Sequence, residues 1–280
     1  MLLASCFAAG APKHVTIQGR DVAVWRPSGP APDEMGYPVI VFSHGFGGCN
    51  TQSTFLMEAL ASAGYLVVAP NHADARCGTA RRSGGERGRP EEPFRNAEQW
   101  TDKTYRDRHD DIEVVLNWVL GEKRFEGLPV DAKHVGIVGH SLGGYTALGM
   151  GGAWASWKDP RIKAVLALSA FCTPYTEKGD LKHMDVPVMY QGGSRDFGVT
   201  PTVKRFNGAF EQSSTPKYYV EFEGAGHFAW TDLNPNYQAI IDQYSITFLD
   251  YYLKVNGKDT LSPLLKAGTS ARVSLLKYEE

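Results

Sequence analysis

The stretch HVGIVGHSLGGYTALGM, residues 134–150, decides the fold of this chain. Its first half carries β-branched apolar residues such as Val135 and Ile137, which is typical of a buried strand. From Leu142 onward it is a run of small and apolar residues, which is typical of a helix. One serine, Ser141, lies between the two halves with glycines on both sides. The stretch therefore predicts a strand that turns sharply into a helix at a serine.

This turn has a specific chemical consequence because it forces Ser141 into a strained backbone conformation. In the pattern Gly139-x-Ser141-x-Gly143, side chains two residues before or after the serine would collide, so both positions require glycine. The hydroxyl then stands clear of the sheet at a helix N-terminus, where the dipole and free N–H groups favour negative charge. We interpret Ser141 as a nucleophile, and a purely structural turn serine is the alternative.

Apolar runs bounded by turn residues recur on both sides of this elbow. The predicted strands cover residues 14–18, 21–26, 37–43, 65–69, 134–139, 162–169, 186–191 and 217–222. The helical spacing of apolar residues predicts helices over 52–63, 104–120 and 236–254. Because strands alternate with helices, we expect an α/β fold with a mostly parallel central sheet of about eight strands and helices on both faces.

The segment 73–100 interrupts this alternation. It has no sustained apolar period and is rich in arginine and glycine, and a loop of this length inside a compact domain is usually functional or mobile. Because it follows a strand, we expect it over the C-terminal edge of the sheet, where ligands bind in open α/β sheets. We predict a single domain over residues 11–280 with this loop as an insertion.

The extreme N-terminus, residues 1–10, is set apart from the fold. Leu3-Ala4-Ser5-Cys6 resembles a bacterial lipoprotein box, although the basic region and the longer apolar core of a complete export signal are missing. If this is a truncated signal, the protein is periplasmic, secreted or lipid-anchored. If the match is chance, the protein is cytoplasmic, and the sequence leaves both alternatives open.

Two cysteines, Cys49 and Cys77, each follow a predicted strand, so we expect both at the same edge of the sheet. An exported protein could join them in a disulfide, whereas a cytosolic one would keep two reduced thiols. Both alternatives stay open, because the sequence does not establish the geometry that a disulfide requires.

The nucleophile needs a base, because a serine hydroxyl at its free pKa is weakly nucleophilic. His227, in EFEGAGHFAW, follows the last predicted strand on a glycine-rich loop that can carry the imidazole over the same sheet edge. Asp196, in YQGGSRDFGVTP, follows another strand and can orient the imidazole and stabilise its cation. The chain order Ser141, Asp196, His227 is the order expected for this type of elbow. His140 is expected only to pack beside the nucleophile.

A tetrahedral intermediate also needs donors for its oxyanion. We expect one from the backbone N–H of Leu142, directly after the nucleophile. The other is expected from the Phe46 N–H in the loop SHGFGGCN, whose glycines let backbone amides approach a substrate. The alternative for this loop, a phosphate cradle, lacks the lysine of the G-x-x-x-x-G-K-[ST] motif.

Composition excludes several other classes of function. A formal net charge of −2 argues against a nucleic-acid partner, which would need a clustered basic surface. No apolar run approaches the ~18–20 residues of a transmembrane helix. No Cys/His cluster has the spacing of a zinc site. We expect no metal and no organic cofactor, and the oligomeric state stays unknown.

Five motifs carry a resemblance to the α/β-hydrolase superfamily over residues 14–255: VIVFSHGFGG, GYLVVAPNHAD, RHDDIEVVLNWV, VGIVGHSLGG and GAGHFAW. They look most like the dienelactone-hydrolase-like and platelet-activating-factor-acetylhydrolase-like esterases. Ser141 departs from true dienelactone hydrolases, which use cysteine, so their lactone chemistry is not carried over. Bacterial cutinases and polyester hydrolases are similar in organisation, although Leu142 stands where they typically carry methionine.

The resemblance implies a serine hydrolase that cleaves short-chain or aromatic carboxylic esters through an acyl-enzyme. The alternatives are a cutinase-like polyester hydrolase, an amidase, peptidase or acyltransferase on the same residues, and a non-catalytic binding protein. The expected partner is a small-molecule or polymeric ester. Aromatic residues that adjoin the proposed site residues in sequence are candidates to line its pocket: Phe171, Phe197, Phe228 and Trp230.

Overall fold

A computed structural model describes residues 10–31, 35–77, 93–121, 123–254 and 272–280. The lipoprotein-box resemblance at Leu3–Cys6 and residues 78–92 of the predicted loop insertion lie outside the described residues. Among the helices that the model describes, none combines the length and apolarity needed to cross a bilayer.

The described strands form one mixed sheet with a small side pairing. Their bounds are β1 (Lys13–Ile17), β2 (Arg20–Trp25), β3 (Tyr37–Ser43), β4 (Leu66–Pro70), β5 (Arg124–Phe125), β6 (Leu128–His140), β7 (Ile162–Leu168), β8 (Val188–Gly193), β9 (Lys217–Phe222) and β10 (Val273–Glu279). The sheet order is β1-β2-β4-β3-β6-β7-β8-β9-β10, and β5 pairs with β6 outside this path. The pairings from β4 through β9 are parallel, whereas β1, β2 and β10 are joined antiparallel.

Helices cover both faces of this sheet. Their bounds are α1 (Thr54–Ser62), α2 (Arg106–Leu120), α3 (Leu142–Leu148), α4 (Thr173–Lys178), α5 (Thr200–Lys204), α6 (Ala209–Gln212) and α7 (Gln238–Leu253). Each face of the sheet has its own buried apolar cluster. The apolar side of α2 packs into one cluster, and the apolar sides of α1 and α7 pack into the other. Strands covered on both sides need apolar residues throughout, and β3 and β4 are buried along their whole length.

The expected α/β-hydrolase architecture is confirmed, but the strand count was too low. The described residues contain ten strands rather than eight, and the two missed are β5 and β10. The strand β5 has two residues and belongs to a tight hairpin, too short to show a periodic pattern. The strand β10 lies at the sheet edge and is half-exposed, so its apolar residues give no clear alternation.

Candidate active site

The elbow between β6 and α3 holds Ser141 at φ 55°, a conformation that L-residues rarely adopt. The neighbouring backbone leaves no room for side chains. A Cβ on Gly139 would lie 2.0 Å from the Gly143 carbonyl oxygen, and one on Gly143 would lie 1.9 Å from the Ser43 carbonyl oxygen. The close approach of β3, β6 and α3 therefore requires glycine at both positions.

The carboxyl ends of three strands bring together the side chains that the sequence singled out. Ser141 Oγ lies 3.0 Å from His227 Nε2, and His227 Nδ1 lies 3.3 Å from Asp196 Oδ1. These residues follow β6, β9 and β8 respectively. The imidazole can therefore accept a proton from the serine while its other nitrogen faces the carboxylate.

Asp196 is almost completely buried and is surrounded by donors. Its Oδ2 accepts hydrogen bonds from Ser169 Oγ at 2.5 Å and from Thr200 Oγ1 at 3.1 Å. Burial alone would raise the pKa of Asp196, but the hydrogen bonds from His227, Ser169 and Thr200 hold it below its usual value. The carboxylate is thus ionised at neutral pH and fixed in orientation. Sequence reasoning identified neither hydroxyl.

His140 connects the loop of His227 to the loop after β3. Burial, reinforced by the neighbouring His227, lowers the pKa of His140 to about 3, so the ring is neutral. Its Nε2 donates to the His227 carbonyl at 2.9 Å, and its Nδ1 accepts from Gln52 Nε2 at 3.0 Å. Gln52 Oε1 in turn accepts from the Gly45 N–H at 2.9 Å. His140 therefore does more than pack beside the nucleophile.

One backbone amide in the loop after β3 differs from its neighbours in its hydrogen bonding. Three others are used within the protein: Gly45 N–H donates to Gln52 Oε1, Gly47 N–H to Asp74 Oδ2 and Gly48 N–H to the Gly45 carbonyl. The Phe46 N–H has no acceptor among the described residues. Leu142 is the first residue of α3, where N–H groups have no partner inside a helix. Both expected oxyanion donors are therefore available to a ligand.

The loop after β3 is supported by a buried ion pair between Arg108 and Asp74, which the sequence analysis missed. Arg108 Nη2 lies 2.8 Å from Asp74 Oδ2, and Arg108 Nη1 donates to the His44 carbonyl at 2.7 Å. Asp74 Oδ2 also accepts from the Gly47 N–H at 3.0 Å. Burial opposes ionisation of Asp74, but Arg108 holds the pKa of this carboxyl well below its usual range. Asp74 and Arg108 lie in the motifs NHAD and RHDD, which gave no local sign of their pairing.

The four predicted pocket residues have different surroundings. Trp230 is fully buried and its Nε1 donates to Gln191 Oε1 at 2.9 Å, so it packs in the core and the prediction that it lines a pocket is wrong. Phe197 and Phe228 are 80% and 60% exposed, and the Phe228 ring meets His227 edge-on. The Phe171 N–H donates to the Ser141 carbonyl at 2.9 Å, which places Phe171 beside the elbow.

Aromatic residues from the end of the 73–100 segment complete this side of the site. Phe94 lies between Phe46 and Phe171, with ring centroids 5.4 Å and 5.0 Å apart. Trp100 packs against Phe171 at 5.1 Å. The described end of the segment therefore reaches the site, as its place after a strand predicted. The aromatic residues of FRNAEQW were the available signal for this contact.

Cys49 and Cys77 are joined by a disulfide, with their Cα atoms 5.4 Å apart. The bond links the loop after β3 to the start of the 73–100 segment. Cys172 is free and buried, and burial raises the pKa of its thiol to about 12. Cys172 is therefore a packed, unreactive thiol.

Reduction of the Cys49–Cys77 disulfide is expected to lower the free energy of unfolding by about 3–4 kcal/mol, because a cross-link over this separation removes entropy from the unfolded chain. The residues are 28 positions apart. Urea unfolding with and without a phosphine reductant measures the effect. The double variant Cys49→Ala/Cys77→Ala is the control and should not respond to reductant. Equal responses of the two proteins would contradict the prediction.

One group among the described residues has the spacing of metal ligands. The ligand atoms of His109, Asp110 and Glu113 on α2 lie within 4.8 Å of one another. His109 Nδ1 is already hydrogen-bonded to Asp110 at 2.8 Å. None of the three contacts the serine, the imidazole or the loop after β3 through a described hydrogen bond, and we assign no metal to the mechanism.

A serine on a strand–helix elbow, with its histidine and acid at the ends of later strands of a mostly parallel sheet, defines an α/β-hydrolase. Within this superfamily, the chain belongs to the dienelactone hydrolase family, whose model matches residues 26–246.

Similar curated proteins are cutinases from three species of Thermobifida. Cutinase est2 of Thermobifida alba is 24% identical over 220 residues, which cover 78% of this chain and 60% of that protein. Cutinase 1 of Thermobifida cellulosilytica is 24% identical over 221 residues, covering 78% and 69%. A cutinase of Thermobifida fusca (strain YX) is also 24% identical, covering 78% and 60%. The chain thus spans about 60% of the length of the first of these relatives.

Proposed function

We propose that the protein is a serine esterase that cleaves carboxylic esters through an acyl-enzyme. The observation that carries this proposal is the 3.0 Å contact between Ser141 Oγ and His227 Nε2 at a strained elbow. A hydroxyl paired with an imidazole that is itself paired with a buried carboxylate is the arrangement that activates serine for acyl transfer. The family and the named cutinase relatives support ester cleavage as the reaction.

The reaction proceeds in two halves on these residues. Ser141 Oγ attacks the ester carbonyl while His227 Nε2 takes its proton, and the N–H groups of Phe46 and Leu142 bind the oxyanion. Collapse of the intermediate expels the alcohol, which receives the proton from His227. Water then gives its proton to His227 and attacks the acyl-enzyme, and the acid leaves as Ser141 recovers its proton. Asp196 stabilises the imidazolium in both halves.

The substrate class follows from the apolar surface next to Ser141. Phe46, Phe94 and Phe171 form a partly exposed row of rings on the side of the loop after β3. Phe228 is largely exposed beside His227. These rings favour an apolar or aromatic acyl group in an accessible site over a charged one. A polyester is the second candidate, because the similar proteins are cutinases.

Hydrolysis of a p-nitrophenyl ester series from acetate to dodecanoate, with benzoate added, tests the proposal. We expect the highest kcat/KM for short-chain and aromatic esters and a fall toward the longest chains. The matching p-nitroanilides serve as the comparison, and we expect much slower turnover of these amides. Turnover of amides but not esters would contradict an esterase and favour an amidase or peptidase. Absence of hydrolysis on esters, amides and an aliphatic polyester film would contradict the proposed function.

A further inference from the structure

The hydroxyl of Ser169 lies between two members of the proposed triad. Ser169 directly follows β7, and its side chain is fully buried. Its backbone has φ 43°, and its N–H donates to the Gln191 carbonyl at 2.7 Å. A non-glycine residue in this region of φ is strained, and such strain persists where the surroundings demand one side-chain position. Here that position is a gap between an imidazole and a carboxylate.

The distances show which hydrogen bond the Ser169 hydroxyl donates and which one it accepts. Ser169 Oγ lies 2.5 Å from Asp196 Oδ2 and 2.8 Å from His227 Nδ1. The direct separation of His227 Nδ1 from Asp196 Oδ1 is longer, at 3.3 Å. An ionised carboxylate only accepts, so the single hydroxyl proton of Ser169 goes to Asp196. The Ser169 oxygen is then left to accept the Nδ1–H of His227.

The tautomer of His227 makes this contact relevant to the reaction. To accept the Ser141 proton, Nε2 must be free, so the neutral ring must carry its proton on Nδ1. The shortest acceptor for that proton is Ser169 Oγ rather than the carboxylate. Thr200 Oγ1 donates a second hydrogen bond to Asp196 Oδ2 at 3.1 Å, and this bond restrains rotation of the carboxylate. The serine and threonine hydroxyls together fix the acid that stabilises the imidazolium.

We propose that Ser169 is a positioning residue of the active site, whose hydroxyl relays the hydrogen bond from His227 Nδ1–H to Asp196. It sets the tautomer and the ring orientation of His227 while making no contact with the substrate. This inference rests on the proposed function, since it concerns the same histidine acting as general base.

Two substitutions at this position separate a positioning role from a structural one. Ser169→Ala removes the hydroxyl and keeps the strained backbone, whereas Ser169→Gly also relieves the strain at positive φ. Both are expected to lower kcat by about 10- to 100-fold, the range for one hydrogen bond to a charged group. KM should change by about twofold or less, because no substrate contact is lost.

The matched control is Ser213→Ala, because Ser213 is also buried and its hydroxyl also makes two hydrogen bonds, to Tyr190 and to the Ala209 carbonyl. It touches none of the proposed catalytic residues. We expect Ser213→Ala to keep wild-type kcat and KM. Ser169→Gly should still unfold in one cooperative transition and be fully folded in the absence of urea, so that lost turnover cannot be ascribed to lost folding.

A second readout needs no ester turnover. The 15N resonances of labelled histidine, with His227 assigned through His227→Gln, report which ring nitrogen carries the proton. In the wild type we expect the Nδ1–H form alone, and in both Ser169 variants a mixture with the Nε2–H form. An unchanged tautomer together with kcat within about twofold of wild type would overturn the positioning role. If no ester is hydrolysed but the tautomer changes as expected, the proposed function fails while the role of Ser169 stands.

Discussion

Replacement of Ser141 by alanine is expected to abolish ester hydrolysis, with kcat falling by about a millionfold, the scale known for removal of the serine from a serine–histidine–acid triad. Alanine leaves nothing to attack the carbonyl, although His227 and the oxyanion donors stay in place. Residual turnover should be that of an oxyanion hole alone. Initial rates on p-nitrophenyl acetate measure the loss, and a fluorophosphonate should label wild type stoichiometrically but not the variant.

The control for this experiment is Ser156→Ala. Ser156 Oγ donates to Asp102 at 2.7 Å and makes no contact with the site. We expect Ser156→Ala to keep wild-type rates and labelling. Both proteins should retain the wild-type unfolding midpoint, because neither change removes a buried apolar group. If Ser141→Ala hydrolysed the ester at the wild-type rate, the assignment of the nucleophile and the mechanism built on it would be wrong.

The second large effect is expected at the ion pair that supports the loop after β3. Arg108→Met should lower the free energy of unfolding by about 3–5 kcal/mol, because removing one partner leaves a buried charge without compensation. Arg108 is fully buried and binds both Asp74 and the His44 carbonyl. Without it, Asp74 loses its countercharge and the loop carrying Phe46 loses support. Urea unfolding at neutral pH measures the change.

The chain offers a matched control in Arg106→Met. Arg106 pairs with Asp110 on the surface of the same helix, with side chains 40% and 50% exposed. Exposed pairs of this spacing contribute about 0.3–0.5 kcal/mol, so Arg106→Met should hardly move the unfolding midpoint. Similar losses in the two variants would contradict a special role for the buried pair.

The pH dependence of the Arg108→Met effect gives a further check on its cause. In the wild type the pKa of Asp74 is held below its unfolded value, so its stabilisation is present above about pH 3.9 and lost as the pH falls further. In Arg108→Met burial without a partner should raise the pKa of Asp74, so its penalty is relieved by protonation. The stability difference between the two proteins should therefore begin to shrink above about pH 4, as the pH falls through the raised pKa of Asp74 in the variant, and should shrink further below about pH 3.9, where the wild type loses its own stabilisation.

The nucleophile elbow is the part of the site that the sequence determines most directly. The glycines around Ser141, the β-branched residues before it and the small residues after it all act within about one strand and one turn of helix. Local sterics therefore specify the elbow without reference to the rest of the fold. The placement of Asp196 and His227 at the same sheet edge as Ser141 was predictable for a related reason, because each follows an apolar strand and parallel strands end at one edge of the sheet.

The supporting contacts of the site could not be predicted in this way. Asp74 and Arg108 are 34 residues apart, and Ser169 is separated from His227 by 58 residues. Each pair meets only because the order and register of the strands bring their ends together. Nothing near these residues in sequence distinguishes a buried serine or arginine of this kind from an ordinary polar one.

The sequence by itself thus determined the fold class, the elbow and the order of the proposed catalytic residues, because apolar periodicity and backbone sterics act over short distances. Only the tertiary structure decided that Ser169 lies between His227 and Asp196, that Arg108 supports the loop after β3, and that Trp230 belongs to the core. These outcomes depend on side-chain distances across the sheet, which are set by packing of the whole chain and leave no local pattern.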